Sequence, residues 1–284
     1  MLIVCCGMKR SGSTVTYVAA QSLVNAKQRG EGLGFYTEGD LLEGKDDLHW
    51  RARREDRVDV LKTHDIEFFC GDTPIANTFL VYSIRDLNEA AKSGIEKFGW
   101  NSKKAFDEMT SAVNDCRKVD QIGNSIILRY EDFAHDPRYL VEALANYAPV
   151  DFERWEIDSA IEGIPDTAPL SQRARRIVHM KRLVLRSLTA LGINRLARRL
   201  GIRRGIRKRL SHFLNSVDPK TLVHKDHVST GDTDFSAHAY VFERLHNAFA
   251  DWKRDYGYLD DTDRPQHGSA GDSGEIPERK GLHH

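Results

Sequence analysis

Gly7-Met8-Lys9-Arg10-Ser11-Gly12-Ser13-Thr14 follows directly on the apolar run Leu2-Ile3-Val4-Cys5-Cys6. Its spacing is that of a phosphate loop, G-x-x-x-x-G-K-[ST], with Ser13 where the lysine would stand and the cations moved forward to Lys9 and Arg10. Such a loop turns a strand into a helix so that backbone N–H groups and the helix N-terminus converge on an anion. Gly12 lets the backbone approach closely, and Ser13 and Thr14 offer hydroxyls. Arg10 or Lys9 can neutralise charge on a group in transfer. Val15, Val18, Ala19, Leu23 and Ala26 recur at helical spacing after the loop, which supplies the amphipathic helix.

Two further clusters have residue types suited to chemistry. Lys62-Thr63-His64-Asp65 ends a strand-like run and puts a cation beside an imidazole. A neutral imidazole takes a proton from an attacking hydroxyl at cellular pH. Arg85-Asp86 ends another apolar run, with Ser93 eight residues beyond Arg85 in the next helix. An arginine and a hydroxyl converging there suit a second phosphate. The competing reading is an ion pair from Arg85 to Asp86 or Glu89, of little energetic weight.

These residues need a scaffold that brings several strand ends to one edge. From residue 1 to about 150 strands alternate with helices, as a parallel α/β sheet requires. Strands are expected at Leu2 to Cys6, Val58 to Lys62, Phe79 to Ile84 and Ser125 to Arg129, with helices over Leu87 to Phe98 and Lys103 to Lys118. Residues 138–163 are expected to be helical, and a last helix is expected over Ala237 to Tyr256. The fold class is α/β, a P-loop-like parallel sheet flanked by helices with a helical, basic C-terminal region. Residues 1–258 are expected to form a single domain and 259–284 a disordered tail. Ligands of such sheets bind beyond the C-terminal ends of the strands, where all three clusters fall.

The chain has 284 residues, with 42 basic and 42 acidic, enough for one substantial core. The apolar start is short and precedes its basic residues, the reverse of secretory order. No other apolar run approaches a bilayer span. A soluble, cytoplasmic chain is therefore expected. Cys5, Cys6, Cys70 and Cys116 show neither C-x-x-C nor metal-ligand spacing, so no metal and no disulfide framework is expected. The zero net charge conceals an asymmetry: 167–217 holds fourteen Arg and Lys residues and no acid, leaving 28 basic against 42 acidic elsewhere. The basic side chains of 173–209 form a solvated helix face, dock on an anionic membrane surface as a peripheral attachment, or recognise an anionic acceptor.

Together the clusters resemble the sulfotransferases that use 3'-phosphoadenosine 5'-phosphosulfate (PAPS). Arg10-Ser11-Gly12-Ser13-Thr14 resembles that family's 5'-phosphosulfate loop, and Lys62-Thr63-His64 its Lys-Thr-His segment. Arg85 and Ser93 resemble its 3'-phosphate pair, and Tyr130-Glu131-Asp132 its Tyr-Glu-Asp segment beside the nucleotide. Met8 replaces the loop proline and Val15 an aromatic that often flanks the adenine. The C-terminal Arg-Lys-Gly is absent, and the nearest counterpart is the segment ending in Gly231.

The resemblance implies transfer of a sulfuryl group from PAPS to a hydroxyl or amine acceptor, small or carried on a glycan or lipid. The product is 3'-phosphoadenosine 5'-phosphate (PAP). His64 is then the general base, with Arg10 and Lys62 stabilising the leaving phosphate. Lys9, Arg10, Ser11, Gly12, Ser13, Thr14, Arg85, Ser93, Tyr130 and Gly231 bind the donor, and no nucleic acid partner is expected. Two alternatives stay open: a P-loop kinase of a small molecule or nucleotide, and a non-catalytic nucleotide-sensing or membrane-docking module.

Overall fold

Leu2–Gly7 (β1) is buried at every position, as a run of apolar residues without alternation predicts for the middle of a sheet covered on both faces. In a computed structural model describing residues 1–71, 74–134, 136–164 and 234–259, β1 is the central strand. Gly32–Phe35 (β2), Asp59–Lys62 (β3), Thr78–Ile84 (β4) and Ser125–Arg129 (β5) complete a five-stranded sheet ordered β2-β3-β1-β4-β5. Every pairing is parallel, with Cys5 beside Lys62 on one side and Gly7 beside Ser83 on the other.

Among the described residues the helices are α1 (Ser13–Lys27), α2 (Glu38–Ala52), α3 (Glu67–Cys70), α4 (Leu87–Phe98), α5 (Ser102–Asp120), α6 (Tyr130–Phe133), α7 (Pro137–Tyr147) and α8 (Arg154–Gly163). After a short 3-10 turn, Ser236–His238, come α9 (Ala239–Ala248) and α10 (Ala250–Asp255). Alternation along the strands divides the core. Ile3, Cys5, Val60 and Val81 meet α1, α7 and α8, while Leu2, Val4, Leu61, Leu80 and Tyr82 meet residues of α4, α5, α9 and α10. The expected α/β class holds.

Several boundaries differ from expectation, each for a local reason. β2 was not anticipated, because Gly32-Leu33-Gly34-Phe35 lacks β-branched residues and carries two glycines. α2 was not anticipated either; a reciprocal capping box between Thr37 and Asp40 starts it. The helical stretch expected over 138–163 divides into two helices, because Pro149 holds Ala148 in the extended region at φ −64° and ψ 139°. The last helix breaks at Phe249, whose φ of −127° lies outside the helical range. The basic segment 167–217, Gly231 and the tail from 260 onward lie outside the described residues.

Candidate functional site

Gly7 and Gly12 shape the loop. At Gly7 a Cβ would fall 2.3 Å from Ser83 Oγ, so β1 approaches β4 as only glycine allows. Gly12 has φ +80°, and a Cβ there would meet the Tyr130 ring at 2.7 Å. Between them Arg10 also takes a left-handed backbone, φ 75°, which is strained for a side-chain-bearing residue. Ser11 holds this turn: its amide donates to Met8 O (3.2 Å), its hydroxyl donates to Met8 O (2.7 Å), and that hydroxyl pairs with Ser83 Oγ (2.8 Å). Ser11 was expected to bind the donor, but it is fully buried and braces the loop from behind. Gly12, Ser13 and Thr14 open α1, and no side chain caps that helix; the Val15 and Thr16 amides turn back to Gly12 O, at 2.8 and 3.1 Å, which leaves those of Ser13 and Thr14 without an intrahelical partner.

On the β3 side, Lys62 donates to Thr14 Oγ1 and its ammonium lies 5.5 Å from the centre of the Phe35 ring. Burial lowers the ammonium to about 8. His64 Nδ1 lies 3.1 Å from Gly7 O. A carbonyl only accepts, so Nδ1 carries the hydrogen and Nε2 keeps its lone pair. Burial, with Lys62 second, lowers the imidazole to about 4, which keeps it neutral across the physiological range. Phe35 meets that imidazole edge-on at 5.7 Å and is itself 40% exposed.

On the β4 side, Arg10 Nε donates to the buried Ser93 Oγ at 2.8 Å, tying the loop to α4. Arg85 Nη1 donates to Arg10 O (3.4 Å), and its guanidinium lies 4.8 Å from the centre of the Tyr130 ring. Burial, then the neighbouring Arg85, lowers the Arg10 guanidinium below its ordinary value. The pair from Arg85 to Glu89 stands at 3.9 Å, and Asp86 instead caps α4 by accepting from Asn88 N and Glu89 N.

The structure therefore brings Arg10, Gly12, Thr14, Lys62, His64, Arg85, Ser93 and Tyr130 to one edge of the sheet. Lys9 is paired: its ammonium bonds both oxygens of Glu108 on α5, at 2.9 and 2.7 Å, and both charges act on the His64 imidazole. Phe35 and Glu108 were not foreseen. Their roles follow from contacts across 29 and 99 positions of sequence, between Phe35 and His64 and between Lys9 and Glu108. A cavity lined by Ser102, Phe106, Tyr240 and Arg244 among others lies between α5 and α9 and includes none of the loop residues.

No family model matches the chain, and no curated protein matches it. Among solved structures, one match is an uncharacterized protein from Eubacterium ventriosum ATCC 27560. It is 15% identical and covers 52% of this chain and 97% of its own, with a TM-score of 0.32. At that identity and score it bears on neither the site nor its activity.

Proposed function

We propose that this chain is a PAPS-dependent sulfotransferase acting on an acceptor hydroxyl. The observation that carries it is a proton-accepting His64 tautomer set beside a lysine that bonds the first turn of α1. His64 Nε2 takes the acceptor's proton as the acceptor oxygen bonds to sulfur. The bond from sulfur to the bridging oxygen of the 5'-phosphate breaks, and PAP leaves with that electron pair. Lys62, Arg10 and the N–H groups at the start of α1 hold the charge that collects on the departing phosphate. Arg85, with Ser93 fixing Arg10, supplies cationic character for a second phosphate one strand away.

The kinase alternative has less support. Thr14 occupies the position whose hydroxyl holds Mg²⁺ in phosphate-loop NTPases. Here that hydroxyl accepts from the Lys62 ammonium, so a protein cation sits where the metal would. A thermal-shift comparison tests the proposal. PAP at a hundredfold excess over its Kd should stabilise the fold by about 2.7 kcal/mol, while ATP with Mg²⁺ should not. Stabilisation by ATP with Mg²⁺ alone would favour phosphoryl transfer.

A further inference from the structure

Asp86 presents a problem at the proposed donor site. It follows Arg85 directly at the strand tip, so its carboxylate lies close to where a second phosphate would bind and would repel it. Its two capping bonds to Asn88 N (2.9 Å) and Glu89 N (3.0 Å) hold it there, because they start the helix that carries Ser93. Lys253 of α10 answers that charge. It is 2% exposed, and its ammonium lies 3.5 Å from Asp86 Oδ2.

The segment around Lys253 is locked onto the same edge. Tyr258 N donates to Lys253 O (2.6 Å), and Tyr258 OH donates to Glu131 Oε2 (2.9 Å). Glu131 Oε1 in turn accepts from Asp86 N at 3.2 Å. The Tyr258 ring stacks on Trp252 at 5.8 Å and carries the Arg129 guanidinium at 4.9 Å. Asp86 is thus gripped at its backbone by Glu131 and at its carboxylate by a lysine 167 positions further along the chain.

We infer that Lys253 is a positioning residue for donor binding: it neutralises Asp86, so that the carboxylate capping α4 can sit beside Arg85 without repelling the donor's second phosphate. This rests on the sulfotransferase reading of the site. Lys253 touches no reacting atom in this scheme and acts through Asp86. A buried lysine is costly without a counter-charge, which is why the two charges stand or fall together.

Isothermal titration of PAP into four proteins tests it: wild type, Lys253→Met, Asp86→Asn and the double variant. Lys253→Met should weaken PAP about tenfold at low salt, with the deficit shrinking as salt screens the exposed repulsion. Adding Asp86→Asn should restore most of that loss, because asparagine still caps a helix but carries no charge. Lys253→Arg should bind as wild type does. A purely structural role would lower the melting temperature without the salt-dependent deficit or its rescue by the second substitution.

Unchanged PAP affinity in Lys253→Met, or a double variant as weak as the single one, would overturn the inference. If Lys253→Met does not fold, Asp86→Asn decides. It removes the repelling carboxylate together with the need for its cation, so PAP should bind at least as tightly as to wild type, and weaker binding would overturn the inference. A wild type that binds no PAP overturns the donor assignment itself, a failure visible before any variant is compared.

Discussion

His64 illustrates how one hydrogen bond selects a function. The Gly7 carbonyl fixes the hydrogen on Nδ1 and burial keeps the ring uncharged, so the remaining nitrogen is a base throughout the neutral range. His64→Ala should lower kcat by roughly a hundredfold or more while PAP affinity stays near wild type; full activity in a discontinuous transfer assay would remove His64 from the mechanism. Its pH profile follows from the same two residues. His64 becomes protonated near 4 and the Lys62 ammonium is lost above about 8. In the free enzyme kcat/KM should therefore hold steady between those values and fall on both sides. Lys62 also carries a stability cost, since the native state holds an ammonium that burial disfavours. Lys62→Met should raise the melting temperature, at roughly 2–4 °C per kcal/mol for a domain of this size, while turnover collapses. Calorimetry beside the activity assay checks both halves.

At the scale of elements, the two ends of β3 do opposite jobs. Its C-terminal end delivers Lys62 and His64 to the site. Its first residue, Asp59, is fully buried and takes Arg51 Nη1 at 2.8 Å and Arg57 Nε at 2.7 Å, with Glu31 N donating at 3.1 Å. Removing one partner of such a cluster leaves charges without a counter-ion, so Asp59→Ala should cost about 3–5 kcal/mol in chemical denaturation. Because Asp59 pairs with Leu2 at the edge opposite the loop, PAP affinity per folded molecule should be unchanged. The elements that were legible beforehand carry a dense local signal: β1 and β4 are unbroken or nearly unbroken apolar runs, and α4 and α5 bear apolar residues at helical spacing. β2 was hidden, because Gly32 and Gly34 have no side chain to show a pattern, and its strand character comes from pairing with Val60 and Leu61. The break near Pro149 was written in the chain, since proline restricts its predecessor, but the helical composition around it masked the signal.

Across the whole molecule, pH should act on stability through the same histidine. An unfolded chain binds a proton on His64 near 6.5, whereas the folded chain does so only near 4. Between those values the unfolded state holds more protons, so stability is greatest above 6.5 and declines as pH falls toward 4. Urea midpoints measured at pH 7 and pH 5 should show that decline, and His64→Gln should flatten it. No helix among the described residues is long and apolar enough to cross a membrane. The charge asymmetry read from the sequence lies in 167–217, outside the described residues.

The sequence by itself determined the α/β class, the strand-loop-helix at the start, and the order in which loop, Lys-Thr-His and arginine arrive, because apolar period and glycine placement are local properties of the chain. Tertiary structure alone decided which of those residues share a site. Ser11 turns inward to Ser83, Lys9 pairs with Glu108, Arg10 reaches Ser93, and Lys253 returns to Asp86. Each of these depends on where a distant segment packs, and a hydrogen bond or ion pair across 72 to 167 positions leaves no periodic trace in either partner.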